Sequence, residues 1–348
     1  MKFNEINWWG WSNPTSGYGI VNLEYATALQ RIGVDVSYGW ERQEDIDPHL
    51  FETFTLEQRQ LLAKPFVKRH IGIIKTTPEM FSHNQSEFRI GYTMVENTRI
   101  GKKWTEWCNN MDMIFVPSEF LINVFKESGV RRPIISVKQG VDSRKFPYIE
   151  RVRRPGSKYV FGTIGYQDER KNWEDLVTAF CSEFDRNEPV ELWIKNSNPY
   201  WAHKCFSDDR IRIINRMYSF PEIQKLYSFF DCFVFPSHAE GSGLPPREAM
   251  ATGIPCIVTN WSGLTEVADP AFSFPLQPTT IDMPDVRGEE QPGYMARIDV
   301  SELMYWMRYA YEHPQELKVK GKLASEFIHK NYNWDECAKD LRAKMEAI

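Results

Sequence analysis

Short apolar runs alternate along this chain with longer stretches of helical spacing. Phe3–Trp9 is apolar enough for an opening strand, and residues 13–19 (Asn-Pro-Thr-Ser-Gly-Tyr-Gly) form a turn-rich loop. From Ile20 to Arg31, residues Val21, Leu23, Tyr25, Ala28, Leu29 and then Ile32 recur at mostly helical intervals; Gly33 closes that helix, and Val34–Tyr38 alternates as a strand. The same reading predicts strands at Ile71–Ile74, Ile90–Met94, Met113–Val116 and Ile134–Val137, with a helix over Glu119–Glu127 between Ser118 and Gly129. A charged stretch from Tyr148 to Ser157, carrying Pro155-Gly156, reads as a linker. Beyond it come strands at Tyr159–Ile164, Val190–Ile194, Ile211–Ile214, Cys232–Phe235 and Cys256–Thr259. Helices are expected at Trp173–Phe184, Pro221–Phe230 and Pro246–Thr252, a surface loop at Thr279–Gly293, and closing helices at Val300–Glu312, Pro314–Asn331 and Trp334–Met345.

Strands that alternate with helices build parallel sheets through right-handed crossovers. The expected fold class is therefore α/β, with two Rossmann-like doubly wound domains. Residues 1–150 form the N-terminal domain and 151–332 the C-terminal one, while 333–348 supply a last helix with the option of packing back on the N-terminal domain. In such sheets ligands sit at the carboxyl ends of the strands.

Composition narrows the class. A chain of 348 residues with 42% hydrophobic and 26% charged residues suits a two-domain globular enzyme and excludes disorder. No apolar run approaches a membrane span and no signal-peptide core follows Met1, so the expected location is cytoplasmic. The net charge of −5 disfavours broad nucleic-acid binding, although basic clusters such as Arg151, Arg153 and Arg154 exist. The six cysteines, Cys205 among them, show neither pairing nor metal-ligand spacing.

Candidate chemistry concentrates at Glu240-Gly241-Ser242-Gly243-Leu244-Pro245-Pro246-Arg247-Glu248. Pro246 suits the first helical turn, because it lacks an amide that would be unpaired there. The helix would then aim its free amides and positive dipole end into the loop zone. Gly241 and Gly243 allow close approach of a ligand, and Glu248, placed in the first turn, is expected to be held ionised by the dipole. From the residues alone, a glycine-rich turn flanked by two solvated carboxylates accounts for the pattern equally well. Asp45-Ile46-Asp47 and His203 have no supporting context as metal ligands, and His238 stands two residues before Glu240 as an outside candidate.

The stretch Leu226–Val267 resembles the signature of retaining GT-B glycosyltransferases of family four (glycosyl transferases group 1). The shared marks are Glu240 and Glu248 with seven residues between them, the run Glu248–Ala251, Gly253-Ile254-Pro255 and Ser262-Gly263-Leu264. The resemblance implies a GT-B fold, two Rossmann-like domains facing across a cleft. It places Glu248 on the donor ribose, Glu240 beside the donor sugar, and the backbone of Ser242, Gly243 and Leu244 on sugar or phosphate. A second match runs from Gly162 to Asn172, where the family carries a basic pair on the donor diphosphate. Lys171 fits the lysine; Tyr166 stands where the arginine after Gly165 is usual, so Arg170 is the candidate second charge. Gly17 and Gly19 sit where the family brings a glycine loop to the diphosphate, although a plain turn explains them as well. Glu96, in Tyr92–Arg99, matches a subgroup in which a glutamate faces the cleft. Ser242 departs from the family, which usually has an aromatic there.

The function implied is retaining, metal-independent transfer of a hexose from a nucleotide diphosphate sugar to a hydroxyl. No cofactor or metal is expected. The partners are the nucleotide sugar and an acceptor of open identity: glycan, lipid-linked sugar, protein or modified nucleic acid. Two alternatives stand beside it, a sugar-nucleotide epimerase or hydrolase on the same fold and a catalytically silent sugar-nucleotide-binding protein.

Overall fold

The computed structural model describes residues 3–13, 16–39, 53–152, 156–196, 208–216 and 218–348. Asp45, Asp47, Arg153, Arg154, His203 and Cys205 lie outside the described residues. The chain divides into two units. The first comprises Met1–Asp142, Asp285–Gly293 and Asn331–Ile348; the second comprises Ser143–Pro284 and Tyr294–Lys330.

The first unit is built on six parallel strands, β1 (Glu5–Trp9), β2 (Asp35–Gly39), β3 (Ile71–Lys75), β4 (Phe88–Tyr92), β5 (Met113–Val116) and β6 (Ile134–Ser136), in the order β2-β1-β3-β4-β5-β6. Every residue of β3 is buried, as expected of a parallel strand covered on both faces. The described helices among its strands include α1 (Gly17–Arg31), α2 (Leu56–Ala63), α3 (Lys102–Asn109) and α4 (Glu119–Glu127). Helix α1 begins three residues before the sequence-based boundary. The reason is Ser16, whose hydroxyl accepts from the Gly19 amide and starts the helix inside the glycine loop. Helix α2 was not foreseen, although Thr55 and Gln58 form a reciprocal capping box at its start.

The second unit repeats the plan. Strands β7 (Tyr159–Gly165), β8 (Val190–Asn196), β9 (Ile211–Ile214), β10 (Cys232–Phe235), β11 (Cys256–Thr259) and β12 (Phe274–Leu276) pair in parallel in the order β12-β11-β10-β7-β8-β9. Helices α5 (Trp173–Glu183), α6 (Phe220–Tyr227) and α7 (Leu244–Ala251) connect them, and α8 (Val300–Glu312) and α9 (Pro314–Asn331) follow the sheet. The expected surface loop at 279–293 instead contains most of a bulged antiparallel hairpin, β13 (Pro278–Pro284) with β14 (Tyr294–Ile298). Its first strand is largely exposed and bounded by prolines, so it carries no apolar alternation to read. Helix α10 (Trp334–Glu346) closes the chain in the first unit, where Asp335 pairs with Arg31 of α1 at 2.6 Å and Trp334 meets Tyr25 edge-on.

Each sheet reverses its strand order once. In the first unit the reversal falls between β1 and β3, in the second between β7 and β10. At such a switch point the loops after neighbouring strands part to opposite faces and leave a crevice at the carboxyl ends.

Candidate functional site

The crevice of the second unit holds a buried charge cluster. After β7 the chain runs into a 3-10 turn, Glu169–Lys171, whose cap Asp168 accepts from the Arg170 amide. After β10 it runs through Pro236–Ala239 to Glu240. There Lys171 Nζ and Arg170 Nη1 both lie 2.5 Å from Glu240 Oε1, and the Ser237 hydroxyl donates to the same oxygen at 2.8 Å. Arg170 also donates to the Ala239 carbonyl at 2.6 Å. All three charged residues are at most 9% exposed. Burial opposes ionisation of Glu240, but the Arg170 and Lys171 charges and the hydrogen bonds outweigh it and hold the carboxyl below its ordinary value.

Two non-glycine residues among those described have left-handed backbone, Asn172 (φ 55°) and Ser262 (φ 57°), and both serve this cluster. Asn172 turns the chain from Lys171 into α5, and the Ser262 hydroxyl accepts from the Glu240 amide at 2.9 Å. Strain of this kind persists only where surrounding contacts enforce it.

The glycine loop is held from beneath by Arg247, which is fully buried. Its Nη1 donates to the carbonyl and hydroxyl of Ser242, both at 2.5 Å, and Nη2 reaches Glu266 at 3.1 Å. The Ser242 side chain is therefore turned inward. Gly243 takes φ +83°, and a Cβ there would lie 2.5 Å from the Leu264 side chain, so only glycine fits. Leu244, half-buried, opens α7 two residues before the expected start.

Glu248 consequently falls in the second turn, and its state differs from the expectation. It accepts from the Tyr227 hydroxyl at 2.8 Å, and burial pushes its pKa up to about 7. Desolvation outweighs the helix dipole, which weakens beyond the first turn. In the unfolded chain this carboxyl ionises near 4.5, so stability falls as pH rises from there to about 7 and the penalty is complete above it. Glu248→Gln is expected to raise stability at pH 8 by on the order of 2 kcal/mol, with the gain vanishing near pH 4. Urea melts at the two pH values measure this, and equal gains at both would refute it.

Gly165 lies against the lysine: a Cβ there would sit 3.4 Å from Lys171 Cε. The second unit thus brings Glu240, Arg170, Lys171 and Gly165 together at one switch point, with Ser242, Gly243, Leu244 and Glu248 on the adjoining loop and helix. Gly17, Gly19 and Glu96 belong to the first unit. Gly19 is required by packing, since a Cβ would meet the Asn13 carbonyl oxygen at 1.8 Å, whereas Gly17 faces open space. Glu96 is paired with Arg287 at 2.9 Å. His238 is buried, its Nδ1 donating to the Ala296 carbonyl at 2.8 Å, with burial lowering its pKa. It lines a cavity of about 610 Å³ with Asp168, Glu169, Asp175 and Arg297. Its lining is mainly acidic. Sequence reasoning missed Arg247, Ser237 and Tyr227, which look like ordinary helix and loop residues until their partners are known.

The architecture is that of the GT-B glycosyltransferases, and residues 158–276 match the family described as Glycosyl transferases group 1. Among solved structures, the chain is similar to sucrose-phosphate synthase of Thermosynechococcus elongatus (TM-score 0.69, 16% identity, covering 99% of this chain and 98% of that one). It is equally similar to Anabaena HepE in complex with UDP-glucose (TM-score 0.69, 13% identity, covering 99% and 100%). A curated relative, uncharacterized protein 356 of Sulfolobus islandicus rod-shaped virus 1, is 25% identical over 186 residues. That match spans 49% of this chain and about half, 51%, of the relative. No described helix is long and apolar enough to cross a membrane.

Proposed function

We propose that this chain is a retaining glycosyltransferase that moves a hexose from a nucleotide diphosphate sugar, with UDP as the base-bearing carrier, to an acceptor hydroxyl without a metal ion. One observation carries the reading: two buried cations and a carboxylate meet at the switch point of the domain that matches the glycosyltransferase family. The UDP-glucose bound by Anabaena HepE supports the choice of nucleotide.

In the reaction the bond from the anomeric carbon to the diphosphate breaks and the carbon bonds to the acceptor oxygen. The hydroxyl proton leaves with the departing nucleoside diphosphate. Negative charge grows on the phosphate, and Lys171 and Arg170 offer it preorganised cations in a desolvated site. At rest Glu240 pairs with both cations but its single negative charge leaves the cluster one positive charge in excess, so the diphosphate takes over part of their pairing and frees Glu240 to hold hydroxyls of the donor sugar. The α7 dipole and the Leu244 amide add positive potential, Pro245 and Pro246 having no N–H to offer, and Glu248 accepts from the ribose hydroxyls.

A thermal-shift series with UDP-, GDP- and ADP-hexoses in EDTA tests this. A bound ligand raises apparent stability by mass action. A uridine nucleotide is expected to give the largest rise in Tm, undiminished by EDTA. No rise with any nucleotide sugar at millimolar concentration would sink the proposal.

A further inference from the structure

The cavity beside His238 plays no part in the transfer reaction described above, and its lining lies wholly within the second unit. It is framed by the start of α5, the start of α8 and the hairpin of β13 and β14. Five acidic residues line it: Asp168, Glu169, Glu174, Asp175 and Asp299. Most have a local reason to be there. Glu174 and Asp175 stand in the first turn of α5, Asp299 caps α8 by accepting from the Ser301 amide at 2.8 Å, and Asp168 caps the 3-10 turn. Glu169 caps nothing, and among the described residues no cation pairs with it or with Asp175. The lining arginine, Arg297, is already paired with Asp282 at 2.6 Å.

His238 is a second and independent mark of a ligand. It is 7% exposed and lines the cavity. Its Nδ1 meets the Ala296 carbonyl at 2.8 Å, and a carbonyl only accepts, so that nitrogen carries the proton. Burial lowers the pKa of the ring, which leaves Nε2 a bare acceptor at neutral pH, and no described residue donates to it. Walls of carboxylates with an unanswered acceptor among them suit a ligand that is positively charged and rich in donors. A metal ion does not fit, because among the described residues no group of three or more His, Cys, Asp or Glu is placed to hold one. The carboxylates do not converge on a point, and the lining also includes the apolar Trp173, Met283 and Ile298. Separated carboxylates with apolar surface complement ammonium groups joined by methylenes. The volume of about 610 Å³ lies within the range of small-molecule sites, about 300–1,000 Å³.

We propose that this cavity binds a linear aliphatic polyamine, with its ammonium groups on the wall carboxylates and one N–H on Nε2 of His238. The assignment does not depend on the transferase reading, since none of its groups is asked to touch the nucleotide sugar.

Calorimetric titration of the full-length chain with spermidine tests it, at about 0.1 M salt so that charges beyond about 10 Å are screened. Wild type is expected to bind one equivalent. The double variant Glu169→Gln/Asp175→Asn should bind about tenfold more weakly and should fold normally, because neither carboxylate has a paired cation to strand. Glu106→Gln/Glu127→Gln removes the same charge from exposed positions of the first unit and should leave binding unchanged. Hexaamminecobalt(III), a compact trication, should bind more weakly than spermidine. In nitrogen NMR spectra of the histidine rings, the signal moved by spermidine should be Nε2 of His238, identified by its loss in His238→Gln. No saturable binding of spermidine, or equal losses in the two double variants, would overturn the proposal. So would binding of the compact ion as tight as that of spermidine, or an unmoved His238 ring.

Discussion

Lys171→Ala is expected to lower turnover of the nucleotide sugar by roughly 10²-fold or more at saturating donor, as removal of other preorganised charge stabilisers does. The loss should fall on turnover more than on donor affinity, because the lysine meets charge that grows as the leaving group departs. The fold should survive. Glu240 keeps Arg170 at 2.5 Å and the Ser237 hydroxyl at 2.8 Å, so the substitution strands no buried carboxylate. Single-turnover rates with saturating donor separate the two contributions. Near-normal turnover would remove Lys171 from the mechanism.

Glu240→Ala should act first on the fold. Without the carboxylate, Arg170 and Lys171 face each other in a site that is nearly closed to water, and breaking a buried pair from one side costs about 3–5 kcal/mol. A diphosphate can supply the missing counter-charge. Added UDP or pyrophosphate is therefore expected to raise the Tm of Glu240→Ala by several degrees more than that of wild type, even with the sugar absent. Equal ligand-induced shifts in the two proteins would mean that the diphosphate does not pair with these cations.

Both expectations depend on a juxtaposition that sequence only partly displays. Periodicity suffices for the central strands, because a parallel strand buried on both faces is a largely apolar run; Met113–Val116, Cys232–Phe235 and Cys256–Thr259 have the boundaries read from the residues. It fails for β13, where solvent covers most positions, and for α2, whose capping box is the clearer mark. The glycine loop and the two glutamates stand out by composition and spacing. That Arg247, between those glutamates, is the buried support of Ser242 does not, since a charged residue on a short helix ordinarily faces water.

Charge states divide in the same way. The residue types at 170, 171, 240 and 248 and their order along the chain were enough to nominate two cations and two carboxylates. Which of the carboxylates is ionised was settled by three-dimensional neighbours. Glu240 has two cations within reach and stays charged, whereas Glu248 has a tyrosine hydroxyl and little water, so its pKa climbs to about 7. Lys75 makes the same point from the other unit. In the sequence it ends an apolar run and looks like a strand-terminal solvated charge, and the chain's folding buries it instead. Local periodicity encodes where elements form, because it depends on near neighbours. Desolvation and charge pairing act between residues distant in the chain, and only the folded arrangement assigns them.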